Sequence, residues 1–356
     1  MKTKNLIVTK KVEKKELSIK NPKINSFYLK FKSVISKNIK KKNFAIAVSG
    51  GADSLCLAYF SKIYASEFKN KIHILIVDHK LRRESNKEAK KVKKILNKKG
   101  IQSKILMWRG KIPTSNIQQN ARKIRYSLMS NYCFDKNIKF LVTAHHMDDQ
   151  IENFFIRLLR GSGLTGLSSM SECVSYNNKL TIVRPFLNFK KIDLKYTTLN
   201  YFKTYIEDPS NRNEKFLRVR IRKYRNDMEK EGLDTNKINK TVKNLLSANK
   251  ALNFYKNKAF YKHVSFSSKN KCFINKKIFT EEAGEIIFKS FSDILSLVSG
   301  TYYPPRSKKI VNLIDRIKKT KFNKSCLGGC IIEQKDNFIS ISKEEKIRKM
   351  PMQLEK

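Results

Sequence analysis

The chain has 356 residues, 40% of them hydrophobic, which is enough for two or three domains with cores of their own. It carries 77 lysines and arginines against 30 acidic residues, a formal net charge of +47 that calls for a polyanion of tRNA size and is unexpected in an enzyme of small molecules. No run of about 18 apolar residues is there to span a membrane, Leu6-Ile7-Val8 is too short an apolar patch for a signal peptide, and no amphipathic basic helix stands alone to lie on a membrane surface.

In chain order, residues 1–25 read as a basic, solvated tail. Phe27, Phe31, Val34 and Ile35 predict a short helix leading into the apolar run Phe44 to Val48, a strand buried on both faces. Ser49 to Ser54, S-G-G-A-D-S, follows at once, and Leu55, Ala58, Tyr59 and Ile63 then recur at helical spacing. Ile72 to Val77 predicts a second strand ending in Asp78-His79. A polar helix follows with Ala89, Val92 and Leu96 inward, closed by Gly100. Ile101 to Met107 predicts a third strand, and Ile117, Ala121, Ile124, Leu128 and Tyr132 a helical stripe. Phe140 to Ala144 predicts a fourth strand, followed by His145-His146-Met147-Asp148-Asp149 and a helix with Ile151, Phe154, Phe155, Leu158 and Leu159 on one face. Gly161-Ser162-Gly163 reads either as a plain helix terminator or as a lid. Arg184-Pro185-Phe186 and Ile192 to Tyr205 return to strand then helix.

Strands alternating with helices imply right-handed βαβ units, and the expected fold is α/β, a doubly wound parallel sheet over residues 26–225. From 226 to 290 helical periodicity predicts a small helical module with an RNA-facing side. Residues 291–356 predict an α+β region with a helix near 306–318 and strands within Cys330 to Ser342, after a turn at Gly328-Gly329. The six cysteines, at 56, 133, 173, 272, 326 and 330, form no C-x-x-C and suit a reducing compartment; Cys56 and Cys133 read as core.

Three motifs fall at predicted strand C-termini, where open α/β sheets bind ligands: the S-G-G-A-D-S loop, Asp78-His79 and the His145 to Asp149 cluster. The two glycines permit a tight turn, and serines with helix N-terminal amides can cradle phosphate. The spacing is not that of a Walker A loop. It resembles the pyrophosphate loop of ATP pyrophosphatases, which cleave ATP between the α- and β-phosphates to adenylate a substrate. Adenylation needs a pyrophosphate cradle, here Ser49, Gly50, Gly51, Ala52, Asp53 and Ser54, and positive charge on the α-phosphate, for which Mg²⁺ is expected with Asp148 as its candidate ligand. Asp53, Asp148 and Asp149 could hold metal, bind an amine or take a proton, and Asp53 could instead cap its helix. His145 could contact the adenylate or move a proton. Arg218, Arg220, Arg222 and Arg225, after Glu207 to Asn211, could reach ATP phosphates or the RNA backbone.

S-G-G-A-D-S, V-D-H-K-L-R-R-E-S (77–85), Q-Q-N-A-R-K-I-R-Y (118–126), A-H-H-M-D-D-Q-I-E-N (144–153), L-L-R-G-S-G-L-T-G-L (158–167) and E-D-P-S-N (207–211) occur in this order. Together they resemble the tRNA(Ile)-lysidine synthetase family, strongly over 40–225 and more weakly through Y-Y-P-P-R-S (302–307) and L-G-G-C-I-I (327–332). The resemblance implies that ATP activates O2 of the wobble cytidine in the CAU anticodon of tRNA(Ile), and that the ε-amine of L-lysine then displaces AMP to give lysidine. By motif position it implies ATP binding by Ser49 to Ser54, roles for Asp53, His145 and Asp149 toward the adenylate and lysine, and site arginines at Arg122 and Arg218. It also implies tRNA contacts by 226–290 and 291–356, and a cytoplasmic location or a plastid stroma; it leaves the oligomeric state open, a homodimer included. Three positions depart from the family pattern: Lys80 stands where glycine is usual, Ala144-His145-His146 replaces Gly-His-Asn, and Val219 replaces the asparagine of R-N-x-I-R. The rival readings are a tRNA thiolase of the same superfamily, an amide-forming ATP pyrophosphatase of the GMP synthetase kind, and a non-catalytic basic RNA-binding protein.

Overall fold

The structure, a computed structural model, describes residues 19–80, 84–110, 117–168, 170–176, 179–207, 214–301, 304–319 and 322–345. Two compact units divide the chain between Lys243 and Asn244. In order, the first contains α1 (Pro22–Asn38), β1 (Phe44–Ala47), α2 (Ala52–Phe68), β2 (Ile72–Asp78), α3 (Ser85–Asn97), β3 (Lys104–Met107), α4 (Ile117–Asp135), β4 (Phe140–Val142), α5 (Met147–Leu158), α6 (Leu164–Leu167), β5 (Cys173–Tyr176), β6 (Leu180–Val183), α7 (Lys191–Phe202) and α8 (Leu217–Lys230). Helix α9 (Thr235–His263) carries the chain across the division.

The sheet of the first unit has the order β3-β2-β1-β4-β6-β5. β1 lies parallel to both β2 and β4, with Ile46 opposite Ile74 on one side and Val142 on the other. β2–β3 and β4–β6 are also parallel, whereas β5 closes the edge antiparallel to β6. The strand order therefore reverses between β1 and β4, which is where a sheet of this type opens a crevice at its carboxyl ends.

Helix α2 is apolar nearly all round, as befits a helix covered on every side: Ala52, Leu55, Cys56, Leu57, Ala58 and Phe60 are all buried. α1 covers it with Tyr28, Phe31 and Ile35; the Tyr28 and Phe31 rings meet Phe60, and Phe31 also meets Phe186 from the β6–α7 connection. α7 covers it from another side, where Tyr59 and Tyr201 stack at 3.8 Å. α1 begins at Pro22 with Asn21 accepting from the Ile24 amide, so the expected tail to residue 25 gives way to helix earlier than its lysines suggested.

The second unit adds β7 (Val264–Ser268), β8 (Lys271–Asn275), α10 (Ile278–Glu281), α11 (Gly284–Ser299), α12 (Ser307–Lys318), β9 (Lys324–Leu327), β10 (Cys330–Lys335) and β11 (Phe338–Lys343). Its antiparallel sheet runs β7-β8-β11-β10-β9. Alternate residues Ile332, Ile339 and Ile341 pack under α11 and α12, which supply Phe291, Ile294, Leu313 and Ile317. The turn expected at Gly328-Gly329 is present, both residues taking positive φ between β9 and β10.

Two expectations are corrected here. Residues 264–275 were expected to be helical with the rest of 226–290 but form the β7–β8 hairpin, because V-S-F-S-S and K-C-F-I-N alternate at period two and β8 finds β11 to pair with. The strand expected at Arg184-Pro185-Phe186 lies just upstream, at β6, since proline has no N–H for the ladder. Among the described residues, no helix is long and apolar enough to cross a membrane.

Candidate active site

The S-G-G-A-D-S loop turns sharply at the tip of β1. Gly50 takes φ +91°, and a Cβ there would lie 2.4 Å from Val92 and 3.3 Å from Ile206, so both the dihedral and the space require glycine. Ser54 Oγ gathers the turn: it accepts from the Ser49 and Gly50 amides at 3.2 and 3.1 Å and donates to the Gly51 carbonyl at 2.9 Å. α2 starts at Ala52 with no side-chain capping bond, which leaves its positive end facing the crevice. Thr198 on α7 donates to the Ala52 carbonyl and fixes the start of that helix.

β4 delivers the second half of the site. Thr143 Oγ1 lies 2.9 Å from His145 Nδ1, and Asp149 accepts from the His146 amide at 3.0 Å in the first turn of α5. His146 is buried, and its Nε2 sits 3.4 Å from Asp53 and 3.5 Å from Asp149, with Nδ1 3.7 Å from Asp148. Burial works against a charge on His146, and the carboxylates of Asp53, Asp149 and Asp148 outweigh it, so its pKa rises above 6.5. His145 is driven the opposite way, well below 6.5, by burial and then by Arg184, Arg122, Arg125 and Arg218. The adjacent histidines thus hold different protonation states: His145 is neutral and His146 readily cationic.

The two halves meet. Ser49, Gly51, Asp53, Ser54, His145 and Asp149 line one cavity of about 470 Å³, together with His79, His146, Arg125, Arg218 and Arg222. Gly50 and Ala52 build the loop rather than line the cavity. Arg122 stands back on α4 with its guanidinium 5.0 Å from the Tyr126 ring centroid, and reaches the site only as a charge felt by His145. Asp208 to Asn211 of the E-D-P-S-N motif lie outside the described residues.

Asp148 does not fit the magnesium ligand it was expected to be. One carboxylate oxygen accepts from Arg225 at 2.5 Å and the other from the Lys191 amide at 3.1 Å. These contacts overcome the effect of burial and hold its carboxyl below 3.8. Among the described residues, no group of three or more His, Cys, Asp or Glu side chains is arranged to hold a metal ion. Asp78 is likewise structural: Ser85, Asn86 and the Lys80 amide all donate to it, ordering the β2–α3 connection, while His79 faces the cavity. Lys80 takes φ +52°, the left-handed region, which explains why glycine suits that position.

Reasoning from sequence left His146 open between a structural and a functional role, and did not see the Arg222–Glu152 pair. Glu152 is 2% exposed and accepts from Arg222 at 2.5 and 3.3 Å. With Arg225–Asp148, this pair docks α8 on α5 over Met147, Ile151, Phe155 and Ile221. Leu158 and Leu159, expected to share that apolar face, are exposed instead, because α5 ends at Leu158 and Gly161 breaks away at φ +65°. The glycine-rich stretch ends α5 and leads into α6, with Arg157 donating to the Gly166 carbonyl.

Comparison with known proteins agrees with this geometry. Residues 23–227 match the PP-loop domain family. A tRNA(Ile)-lysidine synthase of Orientia tsutsugamushi is 36% identical over 311 residues, covering 84% of this chain and 69% of the relative. One of Wolbachia pipientis wMel is 34% identical over 332 residues, covering 92% and 77%. The U34-tRNA thiolase NcsA from Methanococcus maripaludis superposes with a TM-score of 0.54 at 17% identity over 63% of this chain and 80% of that one, a likeness of fold alone. A phosphate-cradling loop and a histidine–aspartate cluster at the tips of β1 and β4, in a chain this similar to those relatives, place it in the tRNA(Ile)-lysidine synthase family of PP-loop ligases, whose substrates include tRNA and ATP.

Proposed function

We propose that the chain adenylates O2 of the wobble cytidine in the CAU anticodon of tRNA(Ile), releasing pyrophosphate, and that the ε-amine of free L-lysine then attacks C2 and displaces AMP to leave lysidine. The tRNA thereby passes from methionine to isoleucine identity, in a bacterial cytoplasm or a plastid stroma. One observation carries this reading: the Ser49–Ser54 loop and the His145–Asp149 cluster open into the same cavity at the switch point of the sheet.

Each step has residues suited to it. The uncapped start of α2 and the Ser49 and Ser54 hydroxyls face the departing pyrophosphate, with Arg125 and Arg218 offering positive charge along the same wall. Neutral His145 has a lone pair to take a proton or accept a hydrogen bond beside the adenylate. Asp53 and Asp149 flank His146 in the cavity while Arg225 takes Asp148, so the lysine ammonium has carboxylates to meet there. Holding that amine against C2 supplies much of the second step's acceleration, since a positioned nucleophile is worth an effective molarity of up to ~10⁵ M or more. None of the six cysteines lines the cavity, which sets the site apart from a cysteine-dependent thiolase.

The test is mass analysis of nucleosides from unmodified tRNA(Ile) incubated with the protein, ATP and lysine. Lysidine at the wobble position, absent when either ATP or lysine is omitted, is the expected result; unchanged cytidine in the complete mixture contradicts the reading.

A further inference from the structure

Helix α9 contains no acidic residue and seven lysines along its 29 positions. Within the second unit, the face that packs is marked by Asn249, Ala259 and His263, all buried, with Asn249 accepting from Lys289 and Lys256 paired to Asp293. The opposite face is unusual. Phe254, Lys258 and Tyr261 follow one another at helical spacing, flanked by Tyr255 and Lys262. Tyr261 is 89% exposed, Phe254 59% and Tyr255 57%. Lys258 Nζ lies 5.5 Å from the Phe254 ring centroid, and the Phe254 and Tyr255 rings meet edge to face at 5.5 Å.

Neither helix formation nor the core accounts for these rings, because aromatic residues are poorer helix formers than the lysines around them and these stand outside the hydrophobic core of the second unit. The character of the face selects its occupant. A second copy docking through the same face would set lysine against lysine. An RNA brings phosphates for the lysines and, wherever its bases are unpaired, flat π-faces for the rings. We propose that this face of α9 is a docking surface for the RNA substrate, stacking unpaired nucleotides on Phe254, Tyr255 and Tyr261 while Lys258 meets an adjoining phosphate; Lys262 is already paired to Glu281 at 2.7 Å. The inference rests on tRNA being the substrate and adds where the second unit grips it.

The test uses the full chain and an unmodified tRNA(Ile) transcript, with the dissociation constant measured across a KCl series. In Phe254→Ala/Tyr255→Ala/Tyr261→Ala, affinity falls at least about tenfold at every salt concentration, since each stacked base is worth roughly 1–3 kcal/mol. The salt dependence of that variant stays that of the parent, because no counterion-releasing contact is lost. In Lys258→Gln the log–log salt slope falls by about one, and Tyr261→Trp, which keeps a stacking face, retains parental affinity. ATP affinity and the melting temperature stay parental throughout, and the single variants Phe254→Ala and Tyr261→Ala each show a several-fold loss. A triple variant that binds tRNA as well as a tRNA-binding parent overturns the inference while leaving the family's reaction intact. So does intact tRNA affinity accompanied by a changed oligomeric mass, or by lost binding to phosphatidylserine vesicles, since the face would then serve a second copy or a membrane. A parent that does not bind tRNA at all overturns the substrate assignment and this surface with it.

Discussion

His146 Nε2 lies 3.4 Å from Asp53 Oδ2, joining the first turn of α5 to the first turn of α2 across the mouth of the cavity. Here the chain has a group that can carry charge, set among three carboxylates. The folded state holds the His146 proton more tightly than a free imidazole of pKa 6.5, so the stabilisation is complete below that pH and is lost as pH rises through the folded-state value. His146→Asn is therefore expected to cost on the order of 2 kcal/mol at pH 6 and clearly less at pH 9. Urea unfolding at both pH values checks this, and an equal loss at the two would show that His146 carries no charge in the fold.

Asp148 and Arg225 tie α8 to α5, and the pair is mostly out of solvent. Arg225→Ala leaves a carboxylate without its partner and is expected to cost about 2 kcal/mol at neutral pH. Because the Asp148 carboxyl is held below 3.8, this contribution is present above that pH and disappears as pH falls through the lower folded-state value. Asp148→Asn is expected to leave the magnesium concentration needed for half-maximal pyrophosphate release unchanged. A several-fold increase in that concentration would restore Asp148 as a metal ligand.

The adjacent glycines of the loop separate fold from function. Gly50→Ala meets Val92 at 2.4 Å in a left-handed backbone and is expected to destabilise by about 1–3 kcal/mol. Gly51→Ala meets nothing nearer than Ser49 Oγ at 3.8 Å, so its melting temperature stays parental while ATP affinity drops, the new methyl standing where phosphate approaches. Calorimetry with ATP reads both. Unchanged ATP affinity in Gly51→Ala would move the phosphates away from the start of α2.

Lys80 keeps a left-handed backbone at φ +52°, a conformation that costs an L-residue about 1 kcal/mol. Lys80→Gly relieves that strain and gives back part of it as chain entropy, for an expected net gain of about 0.5 kcal/mol. The midpoint of urea unfolding should rise slightly. A fall would mean that the Lys80 side chain, not its backbone, matters to the β2–α3 connection.

The α/β unit was legible because its signals are local. Phe44 to Val48 and Ile72 to Val77 are apolar without alternation, as strands buried on both faces are, and the chemistry-bearing residues follow them directly. What stayed hidden depended on partners distant in sequence. The hairpin of β7 and β8 is held in its sheet by β11, which pairs with β8, and Asp148 looked like a free carboxylate until Arg225, 77 residues away, was seen to occupy it. His146 was equally ambiguous: a histidine beside two aspartates reads the same whether or not a third acid, Asp53, arrives from the first turn of α2.

On the proposed reaction, ATP is split between its α- and β-phosphates in the cavity between β1 and β4. The direct measurement is product analysis with ATP labelled at the α- or γ-phosphate, in the presence of tRNA(Ile) and lysine, for the parent, Asp53→Ala and Asp149→Ala. The expected outcome is one AMP and one pyrophosphate per lysidine formed by the parent, with both variants still binding tRNA but losing at least about a hundredfold in rate, as removal of a transition-state contact does. Formation of ADP and free phosphate, or full activity in both variants, would contradict it.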